Sequence, residues 1–165
     1  MRPRRVALAI SLALASGAGL AGCGPGNSLT GSIGEGYSLD FDRVQIRLQD
    51  ETLLIEYLQW LPQGGANKVA KVVVEGWRLR SAPAAPLPWG PGFSLGDDAF
   101  LEVVTVERIA LSGGPFPPVE AGSFTFASLQ AAADGSASGS FNVLFANGRS
   151  LGGAFEGSID EVDTR

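Results

Sequence analysis

The sequence predicts an all-β domain, a single antiparallel β-sandwich or closed barrel of about eight strands, carried behind a cleaved signal peptide. Three observations lead there. Arg43-Val44-Gln45-Ile46-Arg47-Leu48-Gln49 alternates polar and apolar residues without a fault, the period-two pattern of a strand with one wet and one buried face. The runs 122–132, 136–146 and 149–160 are of strand length and are separated by Asp134-Gly135 and Asn147-Gly148, dipeptides that accept the positive backbone angles of tight hairpins. Residues 1–22 are built unlike everything after them.

That first segment opens with Arg2, Arg4 and Arg5, and no charge follows until after Cys23. A basic start, a short Ala, Leu, Ile and Val run, and small residues before a cut site describe a secretory signal. A permanent membrane helix needs about 20 strongly apolar residues, and Ser11, Ser16, Gly17, Gly19 and Gly22 dilute this run. Leu20-Ala21-Gly22-Cys23 resembles the lipobox of bacterial lipoproteins. The resemblance implies cleavage before Cys23, a diacylglyceryl group on its thiol and an acyl chain on the new amine. Each buried methylene contributes about 0.8 kcal/mol, so two or three chains would hold the protein to a membrane almost permanently. Gly24 stands where enteric lipoproteins retained in the inner membrane carry aspartate, so the resemblance implies an outer-membrane address in the cell envelope. Cys23 is the only cysteine, which leaves an exported domain without an internal disulfide.

The expected organisation is therefore a signal peptide over 1–22, a lipidated tether over 23–28 and one β-domain over 29–165. Within the domain, 52–61 has Leu54, Tyr57, Leu58 and Leu61 at helical spacing, but it follows β-like 43–49 after only Asp50-Glu51, which favours a hairpin partner. Val72-Val73-Val74 centres a strand over 69–79, and this places Trp77 in the core. Residues 100–111, rich in Val, Thr and Ile, read as a further strand. In the last run Leu151, Gly153, Phe155, Gly157 and Ile159 share one face, and Phe141, Val143 and Phe145 do the same in the run before. Gly122-Ser123-Phe124, Gly139-Ser140-Phe141 and Gly153-Ala154-Phe155 form an irregular echo, in which the glycines are expected to let the sheet twist or bulge. This stretch resembles the glycine-rich C-terminal hairpins of uncharacterised exported bacterial β-domains, a resemblance that carries no activity with it.

The chemistry is bounded by what is missing. There is no histidine, so Ser-His-Asp triads, Cys-His pairs and His-bearing zinc sites are excluded. All 17 acidic residues but only nine of the 12 basic ones follow Cys23, a net charge of −8 that repels nucleic-acid phosphates. Lys68 and Lys71 read as solvated charges near a hairpin. The carboxylate pairs Asp97-Asp98, Asp40 with Asp42, and Glu102 with Glu107 are the material for a remote hydrolase alternative. Asp40, Asp42, Asp97 and Asp98 are weak candidates for calcium, since oxygen ligands near strand ends suit that ion, but none lies in a twelve-residue calcium-loop pattern. No cofactor is implied. An integral outer-membrane barrel is opposed by the separate anchor and by the polar end Asp163-Thr164-Arg165.

The segment 81–96 holds Pro83, Pro86, Pro88 and Pro91, and loops of that length in compact domains tend to carry function. In it Trp89 and Phe93 either fold back to plug one end of the sandwich or stay exposed as ligand or partner contacts. The expected function is a non-catalytic interaction or envelope-structure domain tethered to the membrane through Cys23. The alternative is a carbohydrate- or small-ligand-binding module using the 81–96 loop. An envelope protein or a glycan is the expected partner.

Overall fold

The computed structural model describes residues 26–79, 90–132 and 134–163. They are mostly β. Eight strands follow one another in one sheet curled into a half-barrel, in the order β5 (Ser94–Leu95), β7 (Val119–Leu129), β8 (Ser136–Phe145), β9 (Ser150–Asp163), β2 (Arg43–Gln49), β3 (Thr52–Trp60), β4 (Ala66–Glu75) and β6 (Val104–Ile109), and β1 (Ser28–Thr30) pairs with β9 beside that path.

The first meander is β2 (Arg43–Gln49), β3 (Thr52–Trp60) and β4 (Ala66–Glu75). Asp50 and Glu51 both take positive φ, 46° and 66°, which makes the two-residue turn whose twist matches a hairpin. This register puts Gln49 opposite Thr52, so the ambiguous segment is a strand, as the short connection favoured. The second meander is β7 (Val119–Leu129), β8 (Ser136–Phe145) and β9 (Ser150–Asp163). Among the described residues of its turns the positive angles fall on Asp134 and Gly148.

The expectation of a purely antiparallel sheet is corrected by β9. Its first half pairs antiparallel with β1 (Ser28–Thr30), and its second half pairs parallel with β2, Ile46 standing opposite Ile159. One 14-residue strand thereby joins the two meanders. Tyr57 braces this place from inside the sheet: fully buried, it donates its hydroxyl to the Ala154 carbonyl at 2.7 Å.

Two further strand expectations are shortened. Residues 100–111 split into α1 (Asp97–Val103) and β6 (Val104–Ile109). Phe100 and Val103, three apart, are the buried face of the helix, and Asp97 and Asp98 in its first turn suit its positive end. Strict alternation begins only at Val104. The strand expected over 69–79 ends at Glu75, and a 3₁₀ turn, Gly76–Leu79, follows. Short β5 (Ser94–Leu95) pairs with β7, so α1 runs directly between β5 and β6, the two ends of the strand path.

The core fills the concave side. Ile46, Leu53, Ile55, Val72, Val74 and Val106 line one half, and Phe124, Phe126, Phe141, Phe145 and Phe155 the other. The three echoed glycines serve these rings. Gly139 stands opposite Phe155 and Gly153 opposite Phe141, in a β8–β9 register that runs without a bulge. A Cβ on Gly153 would lie 2.4 Å from the Phe141 ring, and one on Gly122 would lie 2.4 Å from Phe100. The glycines thus make room for aromatic side chains, and two of them also lie where the sequence expectation put bulges: the β7–β8 ladder shifts register between Val119 and Ala121, just before Gly122, and between Phe126 and Ser128, opposite Gly139.

Candidate functional site

The residues singled out by sequence disperse on folding. Cys23 and Trp89 lie outside the described residues. Phe93 is half-buried against Phe126, ring centroids 6.4 Å apart, and its carbonyl accepts the Phe126 amide at 3.0 Å. Asp42 accepts the Trp60 amide at 2.7 Å across the start of β2, and Asp40 accepts the Ser38 hydroxyl at 3.0 Å. Asp97 and Asp98 sit on α1, a different element. Among the described residues no three Asp, Glu, His or Cys side chains are grouped as a metal site.

Lys68 and Lys71 are not simply solvated, contrary to expectation. Glu56 points from β3 to the convex face, yet it is 2% exposed. Arg47 reaches it at 2.7 Å from β2 and Lys68 at 2.5 Å from β4. Lys71 pairs with Glu107 of β6 at 2.6 Å. A buried carboxylate without such partners would lose its hydration with nothing in return, so this ladder of alternating sign is what lets Glu56 sit there. On the concave side Arg108 is also buried. Its guanidinium donates to the Ser38 and Val69 carbonyls and lies 5.6 Å from the Tyr37 ring. Burial pushes its pKa below the usual arginine value, and the neighbouring Tyr37 opposes this.

At the N-terminal end of the domain, Asn27 is clasped to β9. Its side-chain amide donates to the Glu156 carbonyl at 3.1 Å, and its oxygen accepts the Glu156 amide at 2.7 Å. Among the described residues the sheet begins at Ser28. Gly26 lies beside the convex face of β7–β8–β9, near Thr125, Ser138 and Ser140.

The most distinctive surface feature is a groove of about 750 Å³ between the Gly76–Leu79 turn and α1, lined by Glu75, Trp77, Arg78, Leu101, Glu102 and Thr105. Its geometry follows from local rules. The Gly76 amide donates to the Glu51 carbonyl at 3.0 Å, ending β4 and turning the chain out of the sheet. Trp77 is therefore 49% exposed, which corrects its assignment to the core. Arg78 pairs with Glu75, and its guanidinium lies 4.8 Å from the centre of the Trp77 ring. Because α1 buries Phe100 and Val103, it turns Leu101 and Glu102 outward, and Leu101 is 46% exposed. Thr105 stands opposite Val73 on the convex face. Sequence parity held the clue to Trp77: Val72 and Val74 point inward, so Trp77 continues the outward set of Lys71, Val73 and Glu75.

No family model matches the chain, and no curated protein or solved structure is similar to it.

Proposed function

We propose that this chain is a lipid-anchored bacterial envelope lipoprotein whose β-domain binds a partner and catalyses nothing. The observation that carries the reading is the Asn27–Glu156 clasp a few residues after Cys23. Four residue steps reach about 14 Å at most. Lipid on Cys23 would hold the convex face of β7–β8–β9 close to a bilayer, and β4 and β6, far along the strand order, would look away from it. Two of the carboxylates named for a hydrolase support the same reading: Asp42 holds the Trp60 amide and Glu107 pairs with Lys71. The outer membrane is the proposed address and an envelope protein or glycan the partner, with nucleic acid disfavoured by a net charge of −8 after Cys23. In this reading the curled sheet closes as a barrel, with α1 filling the space between β5 and β6.

The test is metabolic labelling with an alkyne fatty acid in cells producing wild type or Cys23→Ala. Label on the wild type and none on the variant is expected, with the variant retained as an unprocessed precursor. Equal label on both would overturn the anchor.

A further inference from the structure

We propose that the groove between the Gly76–Leu79 turn and α1 binds a neutral glycan, with Trp77 as the platform on which a sugar ring stacks. This rests on the reading of the domain as a binding module and gives that module a site and a ligand class. The groove's volume, about 750 Å³, falls within the range of ligand sites, roughly 300–1,000 Å³, and suits a short oligosaccharide.

Its chemistry selects among ligands. A pyranose presents an apolar face of C–H groups and a rim of hydroxyls. The groove presents an indole floor and a rim made of a carboxylate, a hydroxyl and an ion pair. Trp77 has an indole N–H and a large exposed surface, the combination that serves recognition where one side is apolar and the other wet. Glu102 makes no hydrogen bond or ion pair among the described residues and so accepts from two hydroxyls without giving up a partner. Thr105 adds a hydroxyl that both donates and accepts.

A cationic partner, such as a lysine-rich peptide, is the rival. The site is less suited to it, because Arg78 already occupies the cation position on the indole and already neutralises Glu75. What remains open is apolar ring surface and uncompensated hydrogen-bonding capacity, which fits an uncharged polyol. The groove also lies on the β4–β6 side, across the strand order from Asn27, so an anchored domain would hold it toward the envelope interior rather than the bilayer.

The test is calorimetric titration of the full-length processed protein in detergent micelles with the β-1,4-linked tetramer of N-acetylglucosamine, with maltotetraose and, separately, with tetralysine. Binding of at least one tetrasaccharide is expected. Trp77→Ala should weaken it by tenfold or more, as loss of an aromatic anchor does. Glu102→Gln should weaken it about three- to tenfold through one lost charge-assisted hydrogen bond. Trp60→Ala, at the far end of β3, should leave it unchanged. Circular dichroism checks that each variant keeps the wild-type β spectrum, and if Trp77→Ala does not, the affinity of Glu102→Gln decides between the outcomes. The proposal falls if neither sugar binds the wild type, if both groove variants bind as well as wild type, or if tetralysine alone binds. Fatty-acid labelling of the same proteins is independent of these outcomes: a labelled wild type that binds no sugar sinks the glycan site and leaves the anchored-domain reading standing.

Discussion

The two meanders close on one core with opposite materials. In β7–β8–β9 the inner face is phenylalanine against glycine, and the outer face is small and hydroxylic, with Ser94 against Thr125 and Ser128 against Ser138 at 3.0 and 2.7 Å. In β2–β3–β4, with β6, the inner face is mainly Ile, Leu and Val, joined by Tyr57 and Arg108, and the outer face carries the ladder through Arg47, Glu56, Lys68, Lys71 and Glu107. The difference shows two ways of specifying a register. The first meander is aligned by charge outside the sheet, the second by ring-into-glycine fit inside it. A one-residue slip in β8–β9 would set Phe155 against a serine instead of Gly139 and turn one strand's rings to solvent.

The sharpest test of that contrast is truncation on each side. Phe155→Ala should cost about 4 kcal/mol, because the ring lies 5.6 Å from Phe124 and 6.4 Å from Phe126 and nothing nearby can refill its space. Ile55→Ala should cost less, about 3 kcal/mol, since a smaller volume is removed. Urea denaturation of the two variants compares them, and an equal or reversed order would break the view that rings dominate the core.

Filling the glycine side comes next. Gly153→Ala should destabilise by about 2 kcal/mol, although the same change in an unhindered strand would help. Adding Phe141→Leu should recover part of that loss, because the two side chains compete for one space. Additive losses in thermal melts would mean that the glycine is needed for something other than the ring.

The smallest effect belongs to the ladder. Glu56→Gln keeps the shape but removes the charge between Arg47 and Lys68, whose side chains are 23% and 31% exposed and can recover water. A loss of about 1 to 2 kcal/mol is expected, and comparing midpoints at low and high salt reads its electrostatic share. A midpoint unchanged from wild type would show that the ladder decorates the sheet without aligning it.

Much of the fold is legible one strand at a time. Arg43–Gln49 matches its alternation residue for residue, and the inward sets of β8 and β9 fall where the pattern puts them, because period-two burial is a local property. Residues 100–111 mislead because Phe100, Val103 and Val104 satisfy helical and strand spacing alike, and packing of Phe100 onto Gly122 settles the matter. The groove is less legible than the strands. Its walls come from the Gly76–Leu79 turn, α1 and β6, and no window of sequence holds all of them.

By itself the sequence determined which residues alternate, where the hairpins turn, the acidic character after Cys23, and the absence of histidine chemistry. Each of these depends on neighbours along the chain. Tertiary structure alone decided that β9 runs parallel to β2, that three glycines face three rings, that Glu56 is buried between two cations, and that Trp77 stands open beside Glu102. Those outcomes join residues far apart in the chain, and pairing at that range is set by how the whole core fills, a constraint that no local pattern encodes.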